Sequence, residues 1–144
     1  MLTIAPLTPA DRAAWERLFR GYIAFYERDE PQAMYDLAWA AFMAGDRLHA
    51  LGARQGDALV GITHFFVHPS TSGPDVCYLQ DLFTDAAARG QGVGKALIEA
   101  VATQAKAAGA ARYYWQTHET NLTAQRLYDQ VAERSGFIVY RGRL

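Results

Sequence analysis

The chain has 144 residues, of which 51% are hydrophobic and 20% charged, and its formal net charge is −1. This length points to one domain with room for a true core, and this balance excludes a disordered chain or one organised around a strongly basic nucleic-acid surface. A single cysteine, Cys77, excludes an internal disulfide, no run approaches the ~18 apolar residues of a membrane span, and the N-terminus lacks a signal peptide's basic-then-apolar order, so a cytoplasmic protein is expected.

Taken in chain order, residues 2–7 read as a first strand. Thr8-Pro9-Ala10-Asp11 is a helix start: a hydroxyl cap, proline at the first helical position and an acid in the first turn. The helix runs to about Glu27, with Ala14, Leu18, Tyr22 and Phe25 at helical spacing. A second helix over 32–44 ends at Gly45. Strands over 48–54 and 58–68 flank a Gln55-Gly56-Asp57 turn and predict an antiparallel hairpin. Residues 69–74 read as a loop and 76–84 as another strand, in which Cys77 is expected to be a small core residue. A third helix spans about 92–108. Arg112 to Thr117 is a strand rich in Tyr113, Tyr114 and Trp115. Asn121 opens a fourth helix to about 134, and 136–140 forms the last strand. The resulting order is βααβββαβαβ. One β-helix-β crossover among hairpins predicts an α+β fold: a mixed, largely antiparallel sheet with helices on both faces.

The most informative segment joins the fourth strand to the third helix: Arg89-Gly90-Gln91-Gly92-Val93-Gly94, of the form R-x-x-G-x-G. Glycines at such a turn let backbone N–H groups approach a ligand, and the helix dipole favours a phosphate there. The spacing does not fit a dinucleotide loop, whose G-x-G-x-x-G follows the first strand of a βαβ unit. It does not fit G-x-x-x-x-G-K-[ST] either, because Lys95 is followed by Ala96. Taken alone, glycines that only close a tight turn remain an alternative.

With this motif in this element order, the chain resembles the GNAT superfamily of acyl-CoA-dependent N-acetyltransferases, closest in motif to the small histone and polyamine acetyltransferases. A second signature fits: Asn121-Leu-Thr-Ala-Gln-Arg-Leu-Tyr128, followed by Ser135-Gly136-Phe137, is similar to the family's N-x-x-A-x-x-L-Y…G-F element. The resemblance implies acetyl-CoA as donor and no metal. It implies that Arg89, Gly90, Gln91, Gly92, Val93, Gly94 and Lys95 hold the pyrophosphate, and that Leu82, Phe83 and Thr84 offer backbone groups to the pantetheine. It further implies that Asn121 contacts the cofactor and that Tyr128 protonates the departing thiolate. Asn121 and Tyr128 lie seven apart, about two helical turns, and so share a face. The other reading of Tyr128 is a packed core residue.

Transfer to an amine needs a neutral amine. With a pKa of ~10.4, only about one lysine-like amine in a few thousand is neutral near pH 7, so a base or a water relay matters. Family members that acetylate polyamines often carry Glu-Asp in the fourth strand; here Gln80-Asp81 stands there, and an amide cannot accept the proton. Asp81 and Glu119 are the catalytic candidates, with His118 and Glu27 as further possible bases. Strand alternation predicts that Asp81 faces away from Gln80, and a buried structural carboxylate is the other reading of it. Tyr26, Glu27, Gln80 and His118 are the acceptor-side candidates, Tyr22 and Phe25 either wall that pocket or pack the first helix, and the 69–74 loop is expected to border it. His64 and His68 read as structural.

The resemblance implies direct acetyl transfer to a primary amine, on a small polyamine-like or amino-acid-like molecule. The rivals are a protein or peptide acetyltransferase and a non-catalytic CoA-binding regulatory domain. The chain stops soon after Tyr140, where family members commonly have a seventh strand. An unpaired edge there predicts a homodimer whose tail completes a neighbour's sheet. No nucleic acid or membrane partner is expected.

Overall fold

A computed structural model describes residues 1–144. The chain forms β1 (Leu2–Pro6), a 3-10 turn (Pro9–Asp11), α1 (Arg12–Phe25), α2 (Gln32–Ala44), β2 (His49–Gln55), β3 (Ala58–Ser70), β4 (Gly73–Thr84), a 3-10 turn (Ala86–Ala88), α3 (Val93–Ala107), β5 (Arg112–Tyr114) and α4 (Leu122–Val131). The strands make one sheet in the order β1-β2-β3-β4-β5. All neighbours are antiparallel except β4 and β5, which α3 connects as a parallel pair.

Local chemistry sets the helix ends. Thr8 and Asp11 form a reciprocal capping box, with the Thr8 N–H donating to Asp11 Oδ2 at 2.7 Å. Asp11 also pairs with Arg54 of β2, which ties the start of α1 to the sheet. α1 closes in a double bond pattern in which Arg28 N–H donates to the Ile23 carbonyl and Glu27 N–H to the Ala24 carbonyl. This Schellman motif puts Glu27 at φ 56, a position that glycine usually fills. α2 ends on Gly45 at φ 70.

Two cores lie on opposite faces of the sheet. α1 and α2 cover one with Trp15, Leu18, Phe19, Ile23, Tyr35, Trp39 and Phe42, packed on Leu59 and Ile62. α3 covers the other with Val93, Leu97, Ile98, Val101 and Ala105, packed on Val60, Phe65, Cys77 and Leu79; α4 adds Leu127, Tyr128 and Val131. Cys77 is fully buried and unpaired, and burial pushes its thiol up to about 11, which keeps it an inert core residue.

The structure departs from the sequence expectation in three places. The 69–74 segment is not a loop: β3 reaches Ser70 and β4 starts at Gly73, leaving a two-residue turn. The strand expected to run to Thr117 ends at Tyr114, where its pairing with β4 stops at Tyr78. Residues 136–140 form no strand. They carry no regular secondary structure, with Phe137 90% and Tyr140 88% exposed.

Candidate active site

The site lies where β4 and β5 part. Their pairing stops at Tyr78–Tyr114, while β4 continues to Thr84, so the last half of β4 has no neighbour on its β5 side. At the far end of this gap stands the glycine turn. Gly90 and Gly92 sit at φ 78 and φ 80, a conformation that side chains resist. No backbone N–H from residue 90 to 95 is given to an acceptor within the chain. A row of unpaired donors at a helix N-terminus suits a phosphate group. Val93 is buried in the core, so only its N–H faces the turn's concave side. The Gln91 amide is bonded to Gln55 at 2.7 Å, Lys95 lies along α3 near Glu99, and the Arg89 guanidinium sits 5.7 Å from the Phe83 ring and bonds the Thr84 carbonyl. Leu82 packs against the α3 core and Phe83 against the α1 core. A side chain on Gly94 would meet Leu127 of α4 at 3.1 Å, so this glycine sets how closely α3 and α4 approach.

Tyr128 projects from α4 towards the gap, edge-on to Trp115 at 5.4 Å. Burial and the nearby Tyr26 hydroxyl push its pKa up to about 12. It therefore keeps its proton far above neutrality and can donate it. Asn121 caps α4 by accepting from the Ala124 N–H, and with Phe25, Tyr26, Glu27, His118 and Thr120 it lines a cleft of about 360 Å³. His118 lies against Tyr26, ring centres 5.6 Å apart. The hairpin tip at residues 70–73 does not line this cleft, contrary to the expectation for that loop.

Asp81 is where strand alternation fails. His64 pairs with Asp81 but Phe65 pairs with Leu79, so Gln80 is an extra residue, a β-bulge. Leu79 therefore packs against α3 while Asp81, two residues on, reaches the α1 face. There its carboxylate, 14% exposed, accepts from His64 Nδ1 at 2.9 Å. The Tyr22 hydroxyl lies against it and Tyr26 lies against Tyr22. Burial and the Asp81 charge raise the pKa of both tyrosines. Asp81 thus belongs to the same lobe of the gap as Tyr26. Gln80 is exposed at the bulge. Glu119 is not brought in: it is exposed, its carbonyl is held by Gln125, and it does not line the cleft. Of these two exposed neighbours, His118 lines the cleft and Glu119 does not.

His64, read from the sequence as structural, has partners that the sequence does not announce. It is buried, stacked on Phe42 at 4.6 Å, and accepts from Trp15 Nε1 at 2.9 Å. Its link to Asp81 depends on a register that the bulge shifts, so no sequence spacing announces it. No three His, Cys, Asp or Glu side chains gather with metal-binding geometry.

Residues 15–132 match the Acetyltransferase (GNAT) family, and the chain belongs to that family. It is by class an N-acetyltransferase. It is 30% identical to the D-amino-acid N-acetyltransferase HPA3 of Saccharomyces cerevisiae, over 97% of this chain and 89% of that one. It is 35% identical to an aminoglycoside N(6')-acetyltransferase type 1 of Stenotrophomonas maltophilia, over 74% and 69%. Among solved structures, a transcriptional regulator from Bacillus halodurans superimposes with a TM-score of 0.89 at 20% identity, over the whole of both chains. The aminoglycoside acetyltransferase AAC(6')-Iy in complex with a CoA-containing bisubstrate analogue gives 0.86 at 20% identity, over 100% of this chain and 99% of that one.

Proposed function

We propose that this single-domain protein transfers the acetyl group of acetyl-CoA to a primary amine on a small cationic acceptor, directly in a ternary complex. One observation carries the reading: the gap between β4 and β5 has unpaired N–H donors of residues 90–95 at one end and the Asp81 carboxylate among tyrosines at the other. The first end suits an anionic pyrophosphate and the second a cationic amine. Relatives named for amino-acid and aminoglycoside acetylation support an amine of that size.

When bound, acetyl-CoA supplies an activated thioester. The turn at Arg89–Lys95 binds its phosphates, and the free side of β4 at Leu82–Thr84 orients the chain between phosphate and acetyl. Backbone N–H groups near Phe83 and Thr84 polarise the thioester carbonyl in this reading. Tyr128 Oη holds the proton destined for the leaving sulfur. Asp81, Tyr26 and Glu27 receive the acceptor's ammonium. Because the Gln80 amide cannot take a proton, Asp81 is the carboxylate that draws the proton off, directly or through water.

We further infer a homodimer. Phe137, Ile138, Val139 and Tyr140 are all exposed on a segment without regular structure, a surface that a second copy would cover. The reaction is tested by amine-dependent CoA release with mass detection of product, across D- and L-amino acids, polyamines, aminoglycosides and short peptides. Acetylation of a free amine establishes the reading. Acetylation of peptides alone makes the acceptor a protein, and acetyl-CoA binding with no turnover makes this a regulatory CoA-binding domain.

A further inference from the structure

Asp81 can attract an ammonium group only if its charge is not already neutralised from within. It touches the Tyr22 hydroxyl, which is neutral, and one group able to carry a positive charge, His64, 2.9 Å away. A histidine beside a carboxylate ordinarily gains a second proton readily, since the imidazolium is stabilised by the opposite charge. Here the other ring nitrogen is blocked. Trp15 Nε1 lies 2.9 Å from His64 Nε2, and an indole N–H can only donate. His64 Nε2 must therefore be the acceptor, so the ring's single proton sits on Nδ1 and points at Asp81 Oδ2. A second proton on Nε2 would oppose the Trp15 N–H head-on.

The rest of the surroundings gives His64 no other polar partner. From α1 come Trp15 and the edge of Phe19, ring centres 4.7 Å apart from His64. From α2 comes Phe42, stacked. From β2 its cross-strand neighbour is Ala50. Asp81 of β4 is the only charged group touching it. Tyr22 meets it through Asp81, Tyr35 packs on Trp15 and Phe19, and Arg12 lies over the Trp15 ring, 5.7 Å from its centre. Arg12 is itself paired with Glu16 and Asp36, so it brings no uncompensated charge to this core.

We propose that Trp15 and His64 are positioning residues that hold Asp81 as an uncompensated carboxylate: the Trp15 N–H denies His64 its second proton, so the Asp81 charge is left for the acceptor's ammonium. His64 gives Asp81 one neutral hydrogen bond, which fixes its orientation without cancelling it. This builds on the acceptor end of the proposed function. Its first test needs no acceptor, so failure here is separable from failure of that reading.

The test is nitrogen NMR of the histidine rings in the full chain. Wild type is expected to show one ring proton on His64, on Nδ1. A proton on Nε2, alone or as an imidazolium, overturns the proposal. In Trp15→Phe the ring is expected to take up its second proton. The acceptor KM should rise about tenfold, most steeply at the acid end, with acetyl-CoA affinity unchanged. An acceptor KM equal to wild type overturns it. Should that variant not fold, His64 itself decides. His64→Asn keeps an N–H for Asp81 and cannot become a cation, whereas His64→Leu removes the donor. The Asn variant is expected to retain at least about ten times the kcat/KM of the Leu variant. Equal loss in both assigns His64 to packing alone.

Discussion

At the scale of single residues, Tyr128 and Glu27 make opposite demands on the fold. Tyr128 costs little structurally: it packs on Trp115, and burial with Tyr26 beside it keeps its hydroxyl protonated up to about 12. Tyr128→Phe is therefore expected to fold normally, bind acetyl-CoA as before, and lose about 10²- to 10⁴-fold in kcat, the usual range for a positioned proton donor. Calorimetry and steady-state kinetics on one preparation separate the two effects; unchanged kcat would return Tyr128 to the core. Because its pKa lies near 12, any fall in kcat between pH 8 and 10 must come from another group. Glu27 does carry a structural cost, at φ 56 on the cleft wall. A left-handed non-glycine residue costs roughly 1–2 kcal/mol, and glycine's extra freedom when unfolded returns roughly 0.5–1 kcal/mol of that. Glu27→Gly should thus gain about 0.5–1 kcal/mol in a urea titration while raising the acceptor KM up to about fivefold, the reach of a solvent-exposed charge. A stabilised variant with unaltered KM would confine Glu27 to ending α1.

At the scale of elements, the glycine turn and the β4 bulge contrast in how far sequence reveals them. The turn is legible because its chemistry is local: R-x-x-G-x-G between an apolar strand and an amphipathic helix needs no knowledge of the rest of the chain. The two-turn spacing from Asn121 to Tyr128 is legible for the same reason. The bulge is not, since an extra residue in β4 is defined only against β3, and it reverses the face on which Asp81 lies. The Trp15–His64–Asp81 line was hidden with it, as it joins three elements distant in sequence. The missing last strand has a related cause: residues 136–140 have strand composition, but pairing depends on a partner strand elsewhere in the chain, and β5, the edge nearest in sequence, has only three residues. Gly94 shows how the elements are coupled. Its absent side chain lets Leu127 approach, which sets the position of α4 and hence of Tyr128. Gly94→Val is expected to push α4 outward and lower kcat more than it weakens acetyl-CoA binding. A loss confined to cofactor affinity would show that the turn alone had been disturbed.

For the whole molecule, buried acids of high pKa define an alkaline limit. Burial is the first cause of the raised values of Tyr22, Tyr26, Tyr35, Tyr78, Cys77 and Tyr128, the last two at about 11 and about 12. An unfolded cysteine ionises from about pH 9 and unfolded tyrosines from about pH 10. Above those values the unfolded chain has shed protons that the folded chain keeps, so stability is fully present below about pH 9 and declines as pH rises through the folded values. Urea midpoints should be level from pH 7 to 9 and fall steadily from there to pH 11. Midpoints still level at pH 11 would mean that these hydroxyls are open to water. The same molecule leaves Phe137, Ile138, Val139 and Tyr140 in solvent, where each fully buried side chain would contribute roughly 1.5–3 kcal/mol. Four consecutive large apolar side chains in solvent form a patch that a second surface would cover. The double variant Ile138→Asp/Tyr140→Asp is expected to turn a dimer into a monomer by light scattering at micromolar concentration. Residues 1–131 should keep their fold, because both cores are built without the tail. A wild type that is already monomeric, or a variant that stays dimeric, would remove the tail from any interface.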